Sequence, residues 1–233
     1  ACSRSPASPR PETPHAMSQK ISQKIAVLDY GMGNLRSVRK ALEHVAPEAE
    51  IRVTDDHQFI AAADRVVFPG QGAARDCMAA ISAHDLNREV REALRSKPFL
   101  GICMGLQVLM THSEENGGTA LMGLHPGDVV RFPADMPGDN GLALKVPHMG
   151  WSPVDPVGEH PLWAGIAPGS RFYFVHSYHV QPQDPALVAA TTDYGQRFVC
   201  AIARGNLFAV QFHPEKSADA GLRLLRNFIH WQP

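Results

Sequence analysis

A cysteine stands between two glycines in the stretch GICMGLQ, residues 101–107, directly after the apolar run Pro98-Phe99-Leu100. An apolar run, then Gly101-x-Cys103-x-Gly105, then a helical pattern describes a strand, a sharp turn and a helix. In that setting a nucleophile is held at the tip of the turn. Residues 101 and 105 must be small because strand and helix crowd the bend. The helix would aim its first N–H groups and the positive end of its dipole at the sulfur, which favours the thiolate, the reactive form. The competing reading is a buried cysteine whose glycines serve strand–helix packing alone.

A thiol at its ordinary pKa gains from a nearby base. VQFHPEKS, residues 210–217, supplies the best candidate: His213 and Glu215 flank Pro214 at a strand end. Two residues apart in extended chain, their side chains lean the same way, and the proline biases His213 toward extended geometry. A carboxylate beside an imidazole fixes its tautomer and supports the imidazolium. A surface histidine near a helix start is the bland alternative, and a metal reading of His-x-Glu lacks a third ligand. FPGQGAA, residues 68–74, ends a strand in Pro-Gly-x-Gly, a loop whose N–H groups could receive an oxyanion. Losing one such donor typically costs about 10²–10³ in rate. His176 and His179 in HSYH are expected on opposite faces of one strand, so no metal site is expected there. Cys77 and Cys200 read as inert core, and Trp163 and Trp231 as packing.

The elements that must position these groups alternate. KIAVLD (24–29), EIRVT, RVVF and PFLGIC read as strands. Leu35, Val38, Leu42 and Val45 fall on one helical face, residues 75–95 read as helical with a break near His84-Asp85, and 104–110 as a further helix. The order implies an α/β fold: an open, mostly parallel, twisted sheet with helices on both faces, flavodoxin-like. The second half is β-rich, with strands expected at 127–132, 172–180, 186–192, 198–204 and 207–213. A last helix over 217–231 would be N-capped by Ser217, with Leu222, Leu225, Phe228 and Ile229 inward. The loop 133–142 is rich in Pro, Gly and Asp and is expected to be exposed and mobile.

Composition narrows the classes. The chain has 233 residues, 44% hydrophobic and 19% charged, with a net charge of −1. Nothing in that balance suggests nucleic acid or an anionic membrane as partner, and no apolar run is long enough to span a membrane. Four scattered cysteines without a CxxC pair suggest neither a disulfide framework nor a zinc site, but a reducing, cytoplasmic setting. Residues 1–23 carry Pro6, Pro9, Pro11 and Pro14 and no apolar h-region, so they read as a disordered N-terminal extension, with Met17 a candidate start. Residues 24–233 read as one domain.

Together, the cysteine turn, the preceding PGxG loop and the late His-Pro-Glu resemble the class I (triad) glutamine amidotransferases. DYGMGN (29–34), FPGQGA, GICMGLQ, VPHMGW (146–151), FYFVHSY and QFHPEKS, in that order from about 24 to 231, are more narrowly similar to the glutaminase subunits of imidazole glycerol phosphate synthase. The resemblance implies that L-glutamine is hydrolysed to glutamate and ammonia through a thioester on Cys103, with His213 moving the proton and Glu215 holding His213. It implies an oxyanion hole from Met104 and the Gly70-Gln71-Gly72 loop. Gly70, Gln107, Glu115, His176, Ser177 and Tyr178 would bind substrate. Asn34, His148, Trp151, Tyr173 and Lys216 would face a (β/α)₈-barrel cyclase subunit in a heterodimer. That partner would use the ammonia to make imidazole glycerol phosphate and AICAR in histidine biosynthesis. No cofactor or metal is implied. A further expectation is a lone subunit that is nearly inactive, because a peptide of the PGxG loop can turn its N–H away from the oxyanion until the partner docks. Two other classes stay open on the residues: a cysteine hydrolase of the related flavodoxin-like group, lacking the distal His-Pro-Glu, and a catalytically idle regulatory module.

Overall fold

The computed structural model describes residues 23–138 and 143–233. The expected disordered extension therefore lies, except for Gln23, outside the described residues, as do 139–142 of the expected mobile loop. The described part of that loop is anchored, because Met136 is buried and accepts a backbone hydrogen bond from Leu144.

The first half builds the expected layers. Strands β1 (Lys24–Leu28), β2 (Glu50–Thr54), β3 (Arg65–Gly70) and β4 (Phe99–Cys103) alternate with helices α1 (Leu35–Val45), α2 (His57–Ala62), α3 (Ala74–Ala83) and α4 (Asn87–Ser96), followed by the single turn α5 (Met104–Gln107). The side-chain period of two divides each strand between two cores. Ile25 and Val27 of β1 and Leu100 and Ile102 of β4 share one core with Val38 and Leu42 of α1. Ala26 and Leu28 of β1 and Val66 and Phe68 of β3 share the other with Cys77 and Ile81 of α3 and Val90 of α4. Both faces being covered, these strands read as continuous apolar runs. The break between α3 and α4 falls at Asp85, whose φ is 52°.

The chain continues through β5 (His112–Ser113), β6 (Thr119–Ala120), β7 (Gly127–Arg131), β8 (His148–Pro156), β9 (Ser170–His176), β10 (Tyr178–Pro182), β11 (Val188–Asp193), β12 (Arg197–Arg204), β13 (Leu207–Val210) and α6 (Ala218–His230). The main path runs β2-β1-β3-β4-β13-β12-β10-β7-β5-β6. It is parallel from β2 to β13 and antiparallel from β13 through β7. The hairpin β8–β9 joins through β11, which pairs with both β8 and β12. Because β4 sits between β3 and β13, the ends of all three, carrying the PGxG loop, Cys103 and the approach to His213, emerge side by side.

Several local expectations change. The run 172–180 is two strands: the chain breaks at Ser177, so β9 pairs with β8 while β10 pairs with β7 and β12. That break puts His176 and His179 against the same ring, Phe132, rather than on opposite faces. The strand expected to reach His213 ends at Val210. In α6 the buried stripe takes Leu224 with Leu225, Phe228 and Ile229, while Leu222 is only partly buried. Ser217 makes no capping hydrogen bond; its hydroxyl donates to the His213 carbonyl and accepts from Tyr173 N–H.

Candidate active site

Cys103 occupies the turn from β4 to α5 with φ 56° and ψ −108°. A side-chain-bearing residue with positive φ is strained, and such strain gathers at functional positions. The glycines around it leave no alternative. A Cβ on Gly105 would overlap the Phe68 carbonyl oxygen, and one on Gly101 would lie 2.6 Å from the Gly105 carbonyl oxygen. A Cβ on Gly70 would strike the Tyr30 hydroxyl, which donates to the Pro69 carbonyl. The elbow and the PGxG loop are therefore packed backbone to backbone.

After β13 the chain turns into the same space. His213 is held through both backbone groups, its N–H donating to Tyr173 O and its carbonyl accepting from Ser217 Oγ. Its Nδ1 donates to Glu215 Oε1 at 2.9 Å, with the carboxylate fully buried. That bond puts the proton on Nδ1 and leaves Nε2 as the base. Nε2 is buried without a hydrogen-bond partner, and Cys103 is the group it interacts with electrostatically besides Glu215. Burial disfavours the imidazolium, but the neighbouring Cys103 sulfur and Glu215 carboxylate outweigh it and raise the pKa to about 9. An imidazole so poised can take up and hold a proton beside the sulfur.

A cavity of about 400 Å³ joins these groups, lined by Gln71, Gly72, Cys103, Met104, Gln107, Glu115, the 175–178 corner, His213 and Lys216. Most of the residues expected around substrate thus share one space, with Gly70 directly behind Met104. As the first residue of α5, Met104 has no acceptor within its helix for its N–H. Glu115 Oε2 accepts from the N–H of Ala74, tying its carboxylate to the start of α3. Gln107 Nε2 donates to Tyr178 O and to Gln211 Oε1, and Gln211 Nε2 donates to Cys103 Sγ at 3.6 Å.

Of the residues expected to face a partner, Trp151 is exposed, as is Met149, the most exposed large apolar residue among those described. Its ring meets Tyr173 edge-on across the β8–β9 pair, and the Lys216 ammonium lies over the same tyrosine. Asn34 is half-buried at the start of α1. His148 departs from the expectation: it is 2% exposed, packed between Phe174 and Tyr194. In β8 the side chains alternate, so Met149 and Trp151 point outward while His148 points in. There it donates from Nδ1 to His176 Nε2 and accepts from Ser152 Oγ, while His176 Nδ1 donates to Tyr178 O. Burial holds both imidazoles neutral, pushing His148 down to about 4 and His176 to about 3.

Sequence reasoning missed Gln211, Ser217 and Cys77 as members of this site. Cys77 is buried as expected, yet its Sγ donates to the carbonyl of Gln71 in the PGxG loop. Gln211 shares a motif with His213, and its neighbourhood in sequence was the available signal. Among the described residues no cluster of His, Cys, Asp and Glu could hold a metal ion, and no helix is long and apolar enough to cross a membrane.

The family model of class-I glutamine amidotransferases matches residues 26–231. The imidazole glycerol phosphate synthase subunit HisH of Thiobacillus denitrificans is 62% identical over 91% of this chain and 93% of its own length. That of Aromatoleum aromaticum is 60% identical over 90% and 99%. Among solved structures, a glutamine amidotransferase superposes with a TM-score of 0.65 at 19% identity, covering 88% of this chain and 97% of that one. PurLQS from Thermotoga maritima gives 0.65 at 18%, covering 90% and 99%, so both share the fold. With the cysteine elbow, the His–Glu pair and the matched length in agreement, this chain belongs to the class-I glutamine amidotransferases, and within them to the HisH subunits of imidazole glycerol phosphate synthase.

Proposed function

We propose that Cys103 attacks the side-chain carboxamide of L-glutamine, that His213 protonates the departing ammonia, and that the resulting thioester is hydrolysed by a water from which His213 takes the proton. Glu215 keeps His213 in the tautomer that presents Nε2 to the sulfur. The observation that carries the reading is the meeting of Cys103, at positive φ, with the buried His213–Glu215 pair in one cavity large enough for an amino acid. The Met104 N–H and an N–H of the Gly70-Gln71-Gly72 loop receive the oxyanion; Gly72, at φ 99°, gives that loop its conformational freedom. Both amide protons of Gln107 are committed within the protein, which leaves its carbonyl oxygen to accept from the substrate's ammonium group.

The ammonia passes to a (β/α)₈-barrel cyclase subunit in a heterodimer that makes imidazole glycerol phosphate and AICAR. Exposed Met149 and Trp151, with Lys216 lining the cavity and Tyr173 under its ammonium, support this face as the docking surface. Residues 24–233 act as one amidotransferase domain in the cytoplasm, where free thiols at Cys77, Cys103 and Cys200 would persist. The test is Cys103→Ala in the complex with the cyclase. Synthesis from glutamine should vanish while synthesis from ammonium salts remains. Continued use of glutamine, or loss of both activities, would refute the assignment.

A further inference from the structure

The polarity of one hydrogen-bond chain can be read without ambiguity because it begins at a group that only accepts. The Tyr178 carbonyl takes a proton from Gln107 Nε2 at 3.1 Å and another from His176 Nδ1 at 2.7 Å. The amide nitrogen of Gln107 must therefore point at it, and its second proton reaches Gln211 Oε1 at 2.9 Å. Gln211 has then used its oxygen as acceptor, so its NH₂ end is the one turned to Cys103 Sγ at 3.6 Å. Reversing the Gln211 amide would bring its NH₂ against the NH₂ of Gln107. Gln211 is fully buried and its backbone N–H is fixed to Cys200 O, so the amide is held in place from both ends.

We propose that Gln211 is a further catalytic residue of this site, a donor that stabilises the Cys103 thiolate, and that Gln107 is the positioning residue that sets its polarity. This rests on the reading of Cys103 as the nucleophile. With an amide NH₂ facing it, the sulfur is bound as an acceptor, and the only useful direction for its own proton is His213 Nε2, which is buried and otherwise unpartnered. The amide and the imidazole thus act together: one proton is drawn to nitrogen while the charge left on sulfur is met by a fixed dipole. A hydrogen bond to a charged group outweighs one to a neutral group, so the contact favours the thiolate over the thiol. The chain also runs from the nucleophile to the 176–178 corner of the cavity, so a shift of that corner would be felt at the sulfur.

The experiment is the pH dependence of Cys103 alkylation by iodoacetamide in the full chain, followed by mass spectrometry of the Cys103 peptide. Gln211→Met keeps the volume and removes the donor. Gln107→Glu keeps Gln211 but cannot donate to it, and carries the test if the first variant fails to fold by circular dichroism. Each should move the alkylation profile of Cys103 up by about one pH unit, slowing alkylation about tenfold on the acid side of its midpoint. An unshifted profile in either folded variant overturns the inference. It leaves the nucleophile assignment standing if alkylation of Cys103 in the unmodified chain still abolishes glutamine hydrolysis in the complex. A labelled chain that keeps hydrolysing glutamine overturns both.

Discussion

Gly105 lies directly against the carbonyl oxygen of Phe68, so close that the first carbon of any side chain would overlap it. The contact couples α5 to β3 and fixes where the Met104 N–H stands relative to the PGxG loop. Gly105→Ala should force these elements apart. Overpacking of this kind costs about 1–3 kcal/mol, and a displacement near 1 Å at reacting groups costs roughly 100-fold in rate. Glutaminase activity of the complex should fall by about that factor even where thermal denaturation shows the fold retained. Activity within twofold of the parent would show that the contact does not position the elbow.

The proton on His213 should set the alkaline limit of the reaction. With its pKa raised to about 9, the imidazolium proposed to protonate ammonia is present below that pH and lost above it. kcat/KM for glutamine should therefore fall on an alkaline limb near pH 9. The folded value exceeds the ordinary value of about 6.5, so the same proton stabilises the fold. That stabilisation is complete below about 6.5 and disappears as pH rises through about 9. In Glu215→Gln the carboxylate's share is removed while burial, which lowers the pKa, stays. The limb should move to lower pH, with a loss of about 10²–10⁴ in rate, the usual scale for general acid–base catalysis. A limb unmoved in Glu215→Gln would detach Glu215 from His213.

Trp151 and His148 are separated by three positions in the same strand and should fail in different assays. Trp151→Ala removes an exposed aromatic from the expected docking face. It should weaken cyclase binding by about 2 kcal/mol or more, roughly 30-fold, as at interface hot spots, with the melting temperature of the lone chain nearly unchanged. His148→Ala strips a buried, stacked ring and leaves His176 Nε2 and Ser152 Oγ without their partner. It should lower that melting temperature instead. Calorimetric titration with the cyclase beside thermal denaturation of the lone chain separates the two. Equal loss of binding in both variants, without destabilisation in either, would contradict the burial of His148.

What the sequence disclosed follows a physical divide. Cys103 was legible because a strained turn needs Gly101 and Gly105 within two residues of it, and the buried runs of β1, β3 and β4 because strands covered on both faces lose their alternation. Strand β8 was not legible: Gly150, Pro153 and Pro156 interrupt it. The change of pairing at Ser177 was hidden inside FYFVHSYHV, a run without glycine or proline, and it brought His179 and His176 against the same ring, Phe132. The inward turn of His148 depended on which face of β8 is buried. Ser217 has the residue type of a cap, but the buried carbonyl of His213 competes for its hydroxyl. Gln211 belongs to no spacing rule, because a buried amide acquires its role only from the partners that three distant segments bring to it.

The most direct measurement is to quench the complex while it turns over glutamine and map the acylated residue by intact-mass and peptide mass spectrometry. A glutamyl adduct confined to Cys103 and absent from Cys103→Ala is the expected result. An adduct on another residue, or glutamine-dependent turnover without any adduct in a chain lacking the Cys103 thiol, would contradict the proposal that this sulfur is the nucleophile.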